Sequence, residues 1–313
     1  MHLAQIWNLI RKSVAAWVDD YAPSMGAALA YYTLFSIAPL LLIAIAVVGL
    51  VFGQEAARGE IVAQIQGLIG RDGAIAVQGL LKSASEPAKD IMAAVVSLVT
   101  LVIGATTVFA ELQSDLDRIW RVPPSAQENG IWALLRARLL SFGLVLGLGF
   151  LLLVSLLVSA AIAAFGKWSY GFFEGREAYL HSVNFGISFT ITTLLFALIY
   201  KLMPRARIAW RDVWVGASVT SLLFEIGKFL IGLYLGTTGV ASGFGAAGSL
   251  VVLLLWVYFS AQIFLLGAEF TWVYSHEYGS RALLAWCKPA AEVPSRSGAA
   301  TAAADAKSGA LNA

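Results

Sequence analysis

Glu225 and Lys228 stand three residues apart inside an otherwise apolar stretch. On a helix that spacing brings a carboxylate and an ammonium together on one face. An ionised side chain at the centre of a bilayer costs about 2.5–3.5 kcal/mol even on the gentler insertion scale. A buried pair rarely improves on apolar packing, so the two residues point to a polar site for a ligand or ion. A structural clamp is the alternative. Other polar groups recur at helical spacing: Asn184, Ser188 and Thr192; Ser218, Ser221, Glu225 and Lys228; Tyr258, Gln262 and Glu269. Each stripe must turn away from lipid, where an unsatisfied polar group costs several kcal/mol, although Ser and Thr stripes also serve as packing glue between helices.

Six long apolar stretches must position these groups, near residues 25–52, 91–110, 139–165, 183–203, 213–235 and 247–274. Hydrophobic residues make up 59% of the 313 positions and charged residues 13%, against about 25% charged in soluble domains. A membrane core needs about 20 apolar residues per helix, and no run alternates as barrel strands do. The expected fold is all-α, a polytopic bundle of six transmembrane helices with amphipathic interfacial helices. Counting about 1.5 Å per residue from the stretch ends places Ser36, Pro39, Thr192, Thr193, Glu225, Lys228, Tyr258 and Gln262 at one depth, a polar midplane cavity. Glu111 and Glu269 fall near the inner ends of the second and sixth stretches, where water reaches them. Pro39 cannot donate its helical hydrogen bond and kinks the first stretch, a candidate hinge.

Charge sets the expected orientation, since Lys and Arg in short loops favour the cytoplasmic side. With the N-terminus inside, 14 basic residues lie in inner segments and 6 in outer loops, Lys228 being within the membrane. Both termini are therefore expected in the cytoplasm. Residues 1–24 carry Leu3, Ile6, Trp7, Ile10, Val14, Trp17 and Val18 on one helical face, away from Arg11, Lys12 and Asp19, as a helix lying in the inner interface does. A helix packed on the bundle is the alternative. The outer loop, 53–90, repeats the pattern as two short amphipathic helices with a break from Gly70 to Gly73. Residues 275–313 form a cytoplasmic tail, and its Ala, Ser and Gly composition from about 289 predicts disorder.

Most catalytic chemistries lack their residues. His2, His181 and His276 are scattered and outside the stretches, so no metal centre assembles. His276-Glu277 fails as a zinc-protease motif because position 280 is Ser. No intramembrane Ser has a His to activate it, no Gly-rich phosphate loop occurs, and the single cysteine, Cys287, builds neither a disulfide framework nor a thiolate site. The expectation is a non-enzymatic protein without cofactor, whose partners are membrane lipids and not nucleic acid. The basic loops suit topology and anionic-lipid contact.

The last stretch, Gly243-Phe-Gly-Ala-Ala-Gly-Ser-Leu through Trp256, Tyr258, Ser260 and Gln262 to Gly267-Ala268-Glu269-Phe270, resembles the signature of the BrkB/YihY family of bacterial inner-membrane proteins. So do Ala27 to Leu41, with Tyr31, Tyr32, Ser36 and Pro39, and the segment Leu116-Asp117-Arg118-Ile119-Trp120. The resemblance covers about residues 10–280. It implies six helices and an inner-membrane address, with no single defined role. Some members are linked to serum resistance and others discussed in connection with envelope lipids. The family's former label, ribonuclease BN, finds no support in the scattered histidines. The combined expectation is a transporter-like protein moving a lipid or other amphiphilic envelope component through the midplane cavity, with a non-transporting scaffold or accessory protein as the alternative. Lys228 would attract a phosphate or carboxylate, and Glu225 would balance it and could carry a coupling proton.

Overall fold

A computed structural model of the chain describes residues 3–84, 107–123, 176–237, 244 and 247–282. Every regular element among them is helical. The elements are α1 (Leu3–Asp19), α2 (Ala22–Phe52), α3 (Gln54–Ala84), α4 (residues 107–119), α5 (Arg176–Leu202), α6 (Trp210–Thr237) and α7 (Gly248–Glu277). The stretches expected at 91–110 and 139–165 fall, apart from 107–110, outside the described residues, as does the tail from 283 onward.

Three segments among the described residues are long and apolar enough to cross a membrane: Ala22–Ala46, Trp210–Leu235 and Gly248–Ala282. The stretch expected near 183–203 lies on α5, whose apolar part is shorter, Ser188–Leu202. α7 is apolar all round, as a helix enclosed by others must be. It packs against α1, α2, α3 and α6, while α5 packs on α6.

Local chemistry explains the joints. α1 stops where Tyr21 adopts the left-handed conformation (φ 58°), and α2 begins with Pro23 in its first turn, where a missing N–H is tolerated. α2 then runs unbroken through Pro39 for 31 residues. Gly53 (φ 85°) reverses the chain directly into α3, and α3 breaks at Gly70 (φ 78°), both backbone states that favour glycine.

Two apolar clusters hold the bundle. One joins α2, α4, α5, α6 and α7 through Met25, Leu29, Leu116, Ile119, Phe196, Tyr200, Val213, Phe264 and Leu265. The other seats α3 on α2 and α7 through Ile45, Ala57, Ile61, Val77, Leu81 and Leu253. Small residues allow the close helix contacts: a β-carbon at Gly216 would lie 1.8 Å from Thr271 Oγ1, and one at Gly267 would lie 2.0 Å from Thr220 Oγ1. Such small-residue packing is the usual means of bringing membrane helices together.

Candidate functional site

The expected ion pair forms. Lys228 Nζ donates to Glu225 Oε1 at 2.8 Å, with the two side chains 24% and 18% exposed. Lys228 Nζ also lies 5.6 Å from the centroid of the Phe224 ring. Leu222, Ile226 and Phe229 on the same helix are exposed, so the pair sits where a polar face meets an outward apolar one.

Contacts fix which residues share its level. Phe224 meets Trp256 edge to face at 6.4 Å, and Gly227 packs on Ile263. Tyr258 and Gln262 on α7 therefore lie at the height of Glu225 and Lys228. Across α5, Tyr200 Oη is 3.1 Å from Thr220 Oγ1 and the Phe196 and Phe224 rings are 5.6 Å apart. One further turn sets Thr192 level with Lys228. The inward-turned hydroxyl is Thr193, which is buried with its Oγ1 unpartnered, whereas Thr192 is only partly buried. The Ser221 and Ser260 hydroxyls and Gln262 Oε1 are likewise buried without a hydrogen-bond partner. Tyr258 sets its ring edge to face on Phe259 at 5.5 Å.

Two expectations about depth need correction. Gly26 packs on Gln262, and Gln262 Nε2 reaches Ala22 O at 3.5 Å. Ser36 lies ten residues further along α2, about 15 Å away along the axis. It is fully buried but does not join this level, and neither does Pro39 one turn beyond. Counting from stretch ends assumed that all helices are centred on one plane, whereas α2 and α7 are staggered. The second correction is Glu269, expected within reach of water: it is 0% exposed. Glu111, partly buried on α4, faces Asp115 one turn later.

A second polar layer surrounds Glu269, about 10 Å along α7 from Gln262. Asp20, buried at the joint between α1 and α2, is among its electrostatic neighbours, with Arg121 and Asp19. Arg121 Nη2 lies 3.1 Å from Asp20 Oδ2, and its guanidinium stands 5.5 Å from the Trp272 ring. Nearby connections fasten the same end: Lys12 to Glu277, Arg205 N to Asp117 Oδ1 at 2.7 Å, Ser280 Oγ to Asp212 Oδ2 at 2.6 Å, and Arg281 over Trp120 at 5.1 Å. Burial pushes the Asp117 carboxyl up, against the pull of Arg205. Among the described residues no group of three or more His, Cys, Asp or Glu could hold a metal ion.

The family described as virulence factor BrkB matches residues 14–289, most of the chain. The chain belongs to the BrkB family. Its relatives include a UPF0761 membrane protein of Pseudomonas paraeruginosa, 31% identical over 258 residues, with 80% of this chain and 59% of that one covered. Another in Ralstonia nicotianae is 29% identical over 256 residues, covering 80% and 55%, and one in Psychrobacter is 25% identical over 276 residues, covering 85% and 48%. The chain thus spans about half of the length of the curated relatives it matches. No solved structure matches it. The apolar helices and the membrane-protein relatives agree that it is a membrane protein.

Sequence reading missed Asp20, counted Arg121 only as a basic residue of an inner segment, and placed Thr193 beside Thr192 without telling which of the two turns inward. Asp20 and Arg121 lie outside the apolar stretches, where a charge carries no sign of unusual cost. Tyr200 and Thr220 were also missed. Their hydroxyls join α5, α6 and α7, Tyr200 donating to Phe264 O at 2.7 Å while Thr220 Oγ1 lies 2.8 Å from Gly216 O.

Proposed function

We propose that the chain is a six-span protein of the bacterial cytoplasmic membrane, with both termini in the cytoplasm, that moves a lipid or other amphiphilic envelope component. The observation carrying this reading is the Glu225–Lys228 pair: two opposite charges midway along α6, still partly open, bordered on the same helix by exposed Leu222, Ile226 and Phe229. A zwitterionic or anionic head group can exchange partners with such a pair while its chains stay among the apolar side chains. Thr192, Thr193, Tyr258 and Gln262 supply hydroxyl, phenol and amide groups at the same level. Intramembrane charges of this kind are retained for function more readily than for packing.

Reconstituted into liposomes with a fluorescent phospholipid, the protein should move lipid between leaflets faster than protein-free vesicles do. The folded double variant Glu225→Gln, Lys228→Met should fall to background. A non-transporting scaffold or accessory role in envelope maintenance is favoured by one feature, the fully buried Tyr200–Thr220–Phe264 joint, in which polar groups only fasten helices. Equal rates for wild type, double variant and empty vesicles across several lipid classes would put that reading ahead.

A further inference from the structure

Among the described residues, nothing neutralises a charge on Glu269. The side chain is 0% exposed, and neither carboxyl oxygen has a donor in hydrogen-bond geometry. The charged groups around it, among the described residues, are Asp20 and Asp19, from the end of α1 and its joint with α2, and Arg121, following α4. Arg121 is already committed, 3.1 Å from Asp20 Oδ2 and against the Trp272 ring. Among the described residues, two buried carboxyls face one guanidinium, a net negative charge with no further cation beside it. A group in that position neutralises by taking a proton, and two adjacent carboxyls resolve their repulsion by sharing one.

We propose that the buried Glu269 carboxyl holds a proton at neutral pH and presents it to Asp20, forming a proton site where α1, α2 and α7 meet. The proton on Glu269 donates to Asp20, whose charge stays with Arg121. Tyr21, left-handed at φ 58°, follows Asp20 directly. Losing the proton to solvent therefore sets two carboxylates repelling each other across the contact between α7 and the α1–α2 joint. The site deepens the transport reading by naming the ion that would couple to lipid movement, and it rests on that reading for its role but not for its existence.

The test is infrared difference spectroscopy of the full chain in lipid nanodiscs, stepped from neutral to alkaline pH and read in the carboxylic-acid C=O band. Wild type should lose such a band on alkalinisation. Glu269→Gln should abolish it, and Asp20→Asn should shift it. Asp115→Asn, the control, should remove only a separate contribution. Arg121→Gln withdraws the charge that favours the ionised pair, so the band should persist to higher pH. Bands unchanged by Glu269→Gln and Asp20→Asn would overturn the proposal. If Glu269→Gln does not fold, loss of the band at the wild-type pH in Arg121→Gln overturns it equally. Lipid movement without the band refutes the proton site alone, and the band without lipid movement refutes transport alone.

Discussion

Removing Lys228 strands Glu225 on a face of α6 that is mostly withdrawn from water. The pair is 2.8 Å apart and its side chains are 24% and 18% exposed. Breaking a fully buried pair costs about 3–5 kcal/mol, and a lone charge at mid-helix about 2.5–3.5 kcal/mol on the insertion scale. With about a fifth of each side chain still exposed, Lys228→Met should lose about 2–3 kcal/mol, a fall of about 30- to 150-fold in the folded ratio. Glu225→Gln should be milder, about 1–2 kcal/mol, because Lys228 keeps the Phe224 ring at 5.6 Å and its flexible stem can carry the ammonium toward water. The double variant leaves a more apolar helix and should lie within about 1 kcal/mol of wild type. Unfolding in mixed micelles of increasing SDS content, followed by tryptophan fluorescence, separates the three. A double variant as unstable as Lys228→Met would show that the charges do not depend on each other, and the argument for a shared site would fail.

Other outcomes follow from features of the same bundle. Tyr200→Phe removes the hydroxyl that donates to Phe264 O and meets Thr220, and should cost about 1–2 kcal/mol in the same unfolding assay; an unchanged midpoint would mean the joint is not made. Asp115, on α4 and outside the three segments long and apolar enough to cross a membrane, has its carboxyl pushed from 3.8 up to about 7, chiefly by burial, then by Glu111, with Arg118 opposing. Between those values the folded state holds more protons than the unfolded chain, so stability should fall as pH rises through this window. Asp115→Asn should flatten that slope and be the more stable form at pH 8, and a slope equal to wild type would refute the assignment. For orientation, single cysteines at Lys82 and Arg207, both exposed, in a chain lacking Cys287 should differ toward an impermeant thiol reagent in intact cells. Position 82 should label; labelling at 207 would reverse the topology.

The helices and the ion pair were legible because lipid imposes strong rules on sequence. A charge three residues from its opposite, within a stretch that must be apolar, has few explanations. The break of α3 at Gly70 coincides with a glycine that interrupts an apolar pattern, a signal that backbone geometry requires. Stagger was not legible. Nothing in the residues of α2 says that Gly26, and not Ser36, faces Gln262; that comes from the space Gly26 leaves for the amide. Thr192 and Thr193 differ by about 100° around one helix, and only packing against α6 selects between them. Asp20 and Arg121 are 101 positions apart in a chain with many surface charges, and only the fold brings them beside Glu269.

Because α7 is the common neighbour of α1, α2, α3 and α6, the order of synthesis runs against the order of assembly. Lys12 meets Glu277 across 265 positions of sequence, and Asp20 meets Glu269 across nearly as many. During translation α1 and α2 emerge with the faces that meet α7 uncovered, and they stay so until α7 itself has been made. A nascent chain halted before residue 247 should therefore leave α1 open to protease, and one extended past residue 282 should protect it. Until α7 arrives, the faces of α1, α2, α3 and α6 that it covers need another partner.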